Sequence, residues 1–221
     1  AANYNSTFTI ATSVSDGVTA VTGSKTMTGF AVNDAPTATN LSAAETYTED
    51  TALNLIDIVA SDVDSANITV TLTLSDTAAG SLNTGTSGAV TSTFAAGVWS
   101  ASGAIADVNA LLAGVTFTPT LNFNSTFTIA TSVSDGVAPA ITGIKAMTGT
   151  PVNDAPTALN LSAAETYTED TALNLIDIVA SDVDGGSITA TLTLSNVAAG
   201  SLTTATSGAV TSTFAGGVWT A

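Results

Sequence analysis

The chain contains no cysteine, no histidine and no arginine, and only two lysines, Lys25 and Lys145, in 221 residues. The lack of cysteine excludes a disulfide framework and a thiolate metal site. With no His or Cys, and no motif that presents Ser or Lys as an activated nucleophile, the usual catalytic constellations are missing. Paired carboxylates can cleave glycosides, but such a site needs a groove and usually aromatic walls, and aromatics make up only 5% here. An enzyme is not expected. The net charge is −16, so nothing neutralises a phosphate backbone and nucleic acid is not an expected partner. Anionic membrane surfaces are disfavoured for the same reason. No apolar run approaches the roughly 18–20 residues of a span, so direct membrane insertion is not expected either. No signal peptide is visible.

What is present is apolar and repetitive. Hydrophobic residues are 45% and charged residues 9%, so a core is available and solubility rests on Thr, Ser and Asn. The stretch "TEDTALNLIDIVASDVD" at 48–64 returns unchanged at 168–184, and each copy holds five of the 18 acidic residues. "NSTFTIATSVSDGV" stands at 5–18 and again at 124–137, and "NDAPTA" at 33–38 and 153–158. Residues 33–101 and 153–221 are identical at 58 of 69 positions. One unit is therefore about 120 residues, an ordinary domain size. Asn-Asp-Ala-Pro is turn and linker chemistry, and it sets the seam. On that phase 1–32 is the C-terminal part of one repeat, 33–152 is complete, and 153–221 is the N-terminal part of the next. The chain reads as a window on a longer repetitive polypeptide.

Within the unit the signals are β. "ITVTLTLS" (68–75) alternates Ile68, Val70, Leu72 and Leu74 against threonines, and "STFTIATSV" (125–133) alternates in the same way. "GVTFTP" (114–119) and "GAVTSTF" (88–94) read as shorter strands, and "ALNLIDIVA" (52–60) as a strand with a bulge. In "SGAIADVNALLAG" (102–114), Ile105, Val108, Leu111 and Leu112 fall at helical spacing, with Gly114 as C-cap. The fold class expected is all-β: tandem Greek-key sandwiches of immunoglobulin-like or cadherin-like type, with one short helix per repeat. Trp99 and Trp219 are expected in the core rather than stacked on a sugar. Asp57 and Asp177 are expected exposed beside the bulge. Lys25 and Lys145 are expected on the surface, in exposed ion pairs worth at most about 1 kcal/mol. Asn5, Asn40, Asn67, Asn124 and Asn160 begin Asn-x-Ser/Thr sequons, a pattern that a chain this rich in Ser and Thr also makes by chance.

Acids grouped without counter-cations repel one another, and a bound hard cation removes that repulsion. Calcium takes six to eight oxygens from carboxylates, carbonyls and water. Strand direction decides which groups share an end of the sandwich. Let the end where the chain enters a repeat be its top. Asn33 and Asp34 enter at the top, and Asp62 and Asp64 return there after the second strand. Asp135 arrives there at the end of the last strand but one. Glu49 and Asp50 lie at the bottom. Stacked repeats then bring Glu49 and Asp50 to Asn153, Asp154, Asp182 and Asp184. Asp16 repeats Asp135, and Glu169 and Asp170 repeat Glu49 and Asp50. These fourteen residues are the candidate calcium ligands.

The pattern resembles the cadherin-like repeats of large bacterial surface proteins and calcium-dependent adhesins. The resemblance rests on "ED" followed by "SDVD", on "NDAP" at the seam, and on "ALLAGVTFTPTLNFNSTFTIATSVSDG". It implies calcium at each repeat junction, held by a Glu-containing segment, an Asn-Asp linker and a later Asp-x-Asp. Glu49, Asn153-Asp154 and Asp182/Asp184 match these in order. Two departures stand out: Ala155 replaces a second linker Asn, and the short Asp-Arg-Glu element is absent, with Asp107-Val108-Asn109 as a loose substitute. The function implied is a structural spacer of an extracellular, bacterial-type surface stalk, adhesin or filament, stiffened by calcium. The alternative is an adhesin module that binds carbohydrate or another cell surface. Near-identity of the repeats favours the spacer. The expected partners are neighbouring repeats of the same polypeptide and lateral copies of the chain in a fibre, because threonine-rich faces guard edges poorly.

Overall fold

The computed structural model describes residues 3–221. It divides into two compact units, Ala1–Val152 and Asn153–Ala221. The first holds a hairpin and a complete all-β, immunoglobulin-like sandwich, as the alternation predicts.

The main sheet of the sandwich has six strands. Their order is Thr93–Ala95, Val98–Ala104, Asn67–Leu74, Phe127–Ser134, Ile141–Thr150 and Glu45–Thr48. Pairing is antiparallel until the last step, where Ile141–Thr150 runs parallel to Glu45–Thr48. A second sheet lays Thr116–Pro119 between Leu53–Asn54 and Gly80–Leu82. The core lies between the sheets. Ile68, Val70, Leu72 and Leu74 are buried from one central strand, and Phe127, Ile129 and Val133 from its neighbour. These are the inward positions of the period-2 pattern. Tyr47, Phe117, Phe123 and Phe127 form an aromatic cluster with ring centroids 5.0–6.5 Å apart. Trp99 is fully buried and donates its indole N–H to the Asn83 carbonyl at 3.0 Å.

The helix forms at Ile105–Leu112, with Val108 and Leu112 buried. Its C-cap is Ala113 in the right-handed region rather than Gly114. It starts beside the Asn67 end of the central strand, where Ile105 N–H donates to the Ala66 carbonyl. Asn109 then clamps both backbone groups of Ala60, at 2.9 and 2.8 Å.

Two expected strands are broken. Residues 52–60 form only Leu53–Asn54 and the start of Ala60–Ser61. Side chains satisfy the backbone between them. Glu45 accepts from Ile56 N–H at 3.0 Å, and Lys145 donates to the Ile56 carbonyl at 3.0 Å. A segment whose polar groups are met by side chains needs no strand partner. Residues 88–94 break at Ser92, which folds back onto Gly85 through its N–H and hydroxyl.

Lys145 overturns the expectation of a surface lysine. It is fully buried and lies 2.7 Å from Glu45. Its register in Ile141–Thr150 places it opposite Ile129 on the core face. The parity of that strand is ambiguous in sequence, because Ile144, Ala146 and Met147 around Lys145 put apolar residues on both faces.

The hairpin of the first unit pairs Phe8–Ser15 with Ala20–Met27. It repeats the pairing of Phe127–Ser134 with Ile141–Thr150, including Ile10 opposite Lys25. In the second unit the strands are short. Thr157–Leu159 pairs with Val179–Ser181, and Thr191–Thr193 pairs with Val218–Thr220.

Candidate cation junction

The top of the complete repeat gathers the acids that strand direction places there. The Asn33 amide donates to Asp135 Oδ2 at 2.7 Å and to the Asp34 carbonyl at 2.9 Å. Asp34 N–H donates to Asp64 Oδ2 at 2.8 Å. Asp62 Oδ1 accepts from the N–H groups of Asp64 and Ser65, at 2.8 and 2.7 Å, which closes the "DVD" turn. The linker is thus tied to two different strand ends. The Asn33 amide, and then the Val137 N–H, hold the Asp135 carboxyl below the usual carboxylate range. Asp16, its repeat counterpart, is lowered instead by the N–H groups of Thr19 and Val18.

Glu49 stands at the bottom and is buried. Its N–H donates to the Thr150 carbonyl at 3.1 Å, and its carboxylate accepts from Val152 N–H and, at 3.0 Å, from the Asn124 amide. Asp50 sits in the left-handed region at φ 60° and accepts from Asn122 N–H at 2.8 Å. Asn and Asp tolerate that backbone better than other non-glycine residues. Gly149 makes the approach possible: a Cβ there would strike the Asn124 backbone. Burial, and next the charge of Glu49, push the Tyr47 hydroxyl up; it donates to the Ser125 carbonyl at 2.6 Å.

Asn122 and Asn124 were not among the sequence candidates. Asp107 and Asn109 were the suggested substitute for the missing acidic element, and the structure places them elsewhere. Asp107 meets Ser87 at 3.4 Å, and Asn109 holds Ala60. The signal that could have found the pair is "LNFN" (121–124), two residues before the Phe127–Ser134 strand and so at its bottom end.

In the first unit a cavity is lined by Asn3, Tyr4, Asn5, Phe30, Val32, Asp34 and Asp64. Asn3, Asn5 and Val32 are the repeat counterparts of Asn122, Asn124 and Val152, which surround Glu49. The bottom of one repeat and the top of the next therefore share a cavity there.

Buried oxygens show whether these residues suit a cation. Asp62 Oδ2 at the top and Asn122 Oδ1 at the bottom are buried and accept no hydrogen bond. A buried acceptor left unmet costs about 1–3 kcal/mol, and a hard cation meets it through oxygen alone. Among the described residues, no three acidic side chains converge closely enough to hold an ion by themselves. Any ion here needs amide and backbone oxygens as well.

The second unit repeats the top. Asn153 donates to the Asp154 carbonyl at 2.8 Å, Asp154 N–H to Asp184 Oδ2 at 2.6 Å, and Asp184 N–H to Asp182 Oδ1 at 3.0 Å. Glu169 and Asp170 are exposed, and Asp170 again has φ 60°. Asp57 and Asp177 are exposed as expected, each with its carbonyl bound by Asn40 or Asn160. Among the described residues no helix is long and apolar enough to cross a membrane.

The complete repeat is thus a β-sandwich module with acidic groups at both ends. No family model and no curated protein matches the chain. Solved structures that resemble it include the EC21-23 segment of human CDH23, at 19% identity and a TM-score of 0.46. That likeness covers 82% of this chain and 55% of the other. Extracellular cadherin domains 1–5 of protocadherin gamma B2 match at 14% identity and a TM-score of 0.47, over 97% of this chain and 37% of the other. Mouse protocadherin-24 EC1-3 matches at 15% and 0.41, over 96% and 65%. The chain spans about half the length of the CDH23 segment. The fold assignment rests on the sheets and core of the chain itself.

Proposed function

We propose that this chain is a run of structural spacer repeats from an extracellular stalk, adhesin or filament, stiffened by calcium at its repeat junctions, with no enzymatic role. The observation that supports this best is the cavity where Asn3 and Asn5 meet Asp34 and Asp64. It joins the end of one repeat to the start of the next with oxygen-bearing side chains. At this junction the ion would be held by Asp34, Asp62, Asp64 and Asp135 together with Asn3 and Asn5; Glu49, Asp50 and Asn122 are the equivalent groups at the opposite end of the sandwich and would serve a separate ion. The ion would supply positive charge where the chain has almost none. Close carboxylate pairs repel by roughly 2–4 kcal/mol at an effective dielectric near 20, so an ion-free junction works as a hinge and a loaded one as a joint.

The test uses two complete repeats in tandem. Calcium should lengthen and stiffen them by small-angle scattering and raise their melting temperature, since the ion binds only the folded junction. Replacing the two aspartates of the second repeat's "DVD" turn by alanine should abolish both effects and leave each sandwich folded. If calcium changes neither shape nor melting in the unmutated pair, the acids are a solvated rim and the reading is wrong.

A further inference from the structure

Glu45 and Lys145 meet deep inside the complete repeat. Their side chains are 2% and 1% exposed, and Lys145 Nζ stands 2.7 Å from Glu45 Oε1. Tyr47 and Met147, the next inward residues on the same two strands, are buried as well. An ammonium carries three N–H donors. One goes to Glu45 and one to the Ile56 carbonyl at 3.0 Å. Among the described residues none accepts the third. Glu45 Oε2 meanwhile accepts from Ile56 N–H at 3.0 Å. The Ile56 backbone therefore meets one oxygen and one nitrogen, each from a different charged side chain.

A secondary amide presents the same two groups, one C=O and one N–H, and no others. Joined in that way, Glu45 and Lys145 would satisfy both backbone groups of Ile56 and leave no N–H unmet. They would also withdraw two charges from the core. A buried donor without an acceptor is destabilising, and a buried ion pair is often less stable than a neutral replacement of similar shape.

We propose that Glu45 and Lys145 condense inside the folded repeat to an isopeptide bond. The ammonium passes one proton to Glu45 Oε1, and the free amine attacks Cδ. The Nζ–Cδ bond forms and the Cδ–Oε1 bond breaks. Oε1 leaves as water, with a second proton taken from the nitrogen. Nothing is oxidised or reduced, and no other reactant is consumed. Ile56 N–H, already on Oε2, stabilises the charge that grows there as the amine adds, and the Ile56 carbonyl orients the amine. Fixed proximity supplies the effective concentration that the reaction lacks in solution, and the water-poor core protects the product. The reaction waits on folding, so the freshly folded chain carries the charged pair and the matured chain carries the amide.

The bond would tie Glu45–Thr48 to the parallel strand Ile141–Thr150. Residues 46–144 would then lie inside a closed loop. A pull applied at 33 and 152 would pass through the amide and bypass the rest of the sandwich. That use rests on the stalk reading, whereas the bond itself needs no calcium.

The experiment is intact-mass spectrometry of the full chain with a calcium chelator present, from harvest through several weeks of storage at neutral pH. The mass should fall by one water, and a digest should yield a branched peptide joining Glu45 to Lys145. Lys145→Met should keep its full mass. Glu45→Gln should lose one ammonia instead of one water, which ring closure at an Asp-Gly step such as Asp135-Gly136 cannot imitate. An unmutated chain that keeps its full mass throughout overturns the proposal. So does a loss of water that persists in Lys145→Met. Because calcium is chelated, neither result bears on the junction.

Discussion

Residues 33–101 and 153–221 are almost one sequence in two settings, and the two settings give different structures. In the first copy Leu55 is 3% exposed; in the second its counterpart Leu175 is 39% exposed. The central strand runs over eight residues as Asn67–Leu74 but over three as Thr191–Thr193. The first copy packs against the helix and against Thr116–Pro119, Phe127–Ser134 and Ile141–Thr150; residues 153–221 hold no counterparts of these elements. Several hydrogen bonds persist regardless. Asp34 to Asp64 and Asp154 to Asp184 form the same bond, as do Asn40 to Asp57 and Asn160 to Asp177, and Asp62 closes its turn onto Asp64 as Asp182 does onto Asp184. Bonds whose two partners both lie within the repeated segment survive, whereas strand length depends on partners outside it.

The largest break in this comparison should come from one aromatic residue. Phe127→Ala should destabilise the complete repeat by about 3–5 kcal/mol, read from urea melts of the chain in dilute solution. Phe8→Ala, at the identical sequence position but 43% exposed, should leave that transition within about 0.5 kcal/mol. Equal losses would mean that the hairpin is packed as tightly as its counterpart.

The two lysines sharpen the contrast at the next level. Lys145→Gln strands Glu45 in the core and frees the Ile56 carbonyl, and should cost about 3 kcal/mol. Lys25→Gln should change the same melt by no more than about 0.5 kcal/mol in dilute solution. A neutral Lys145→Gln would place the pair in water after all.

The smallest effect compares Asp135 with Asp16. Its lowered carboxyl means that Asp135 contributes stability above the ordinary carboxylate range, lost as pH falls through its lowered value. Asn33→Ala should move the Asp135 titration upward, followed by carboxyl NMR, and leave Asp16 where it is. An unmoved Asp135 would show that the linker amide does not hold it.

Sequence alternation predicted Asn67–Leu74 and Phe127–Ser134 well because both strands lie centrally with one face on the core. It failed at 52–60 because side chains complete that backbone: Glu45 from the preceding strand, and Lys145 and Asn109 from far away in sequence. The acids at the top were legible from strand direction, since each closes or follows a strand. Asn122 and Asn124 were not, because neutral amides lack the charge pattern that marked the other candidates. The same blindness to distance misplaced Lys145: only Glu45, a hundred residues earlier, makes a core lysine tolerable.

That buried lysine has a consequence for durability. With no arginine, Lys145 is the sole residue of the complete repeat after which a trypsin-class protease can cut, and the folded sheet seals it. A fibre of such repeats would offer digestive enzymes of that class no foothold along its length. Its amine-directed chemistry, from crosslinking to glycation, would be equally silent until the repeat unfolds.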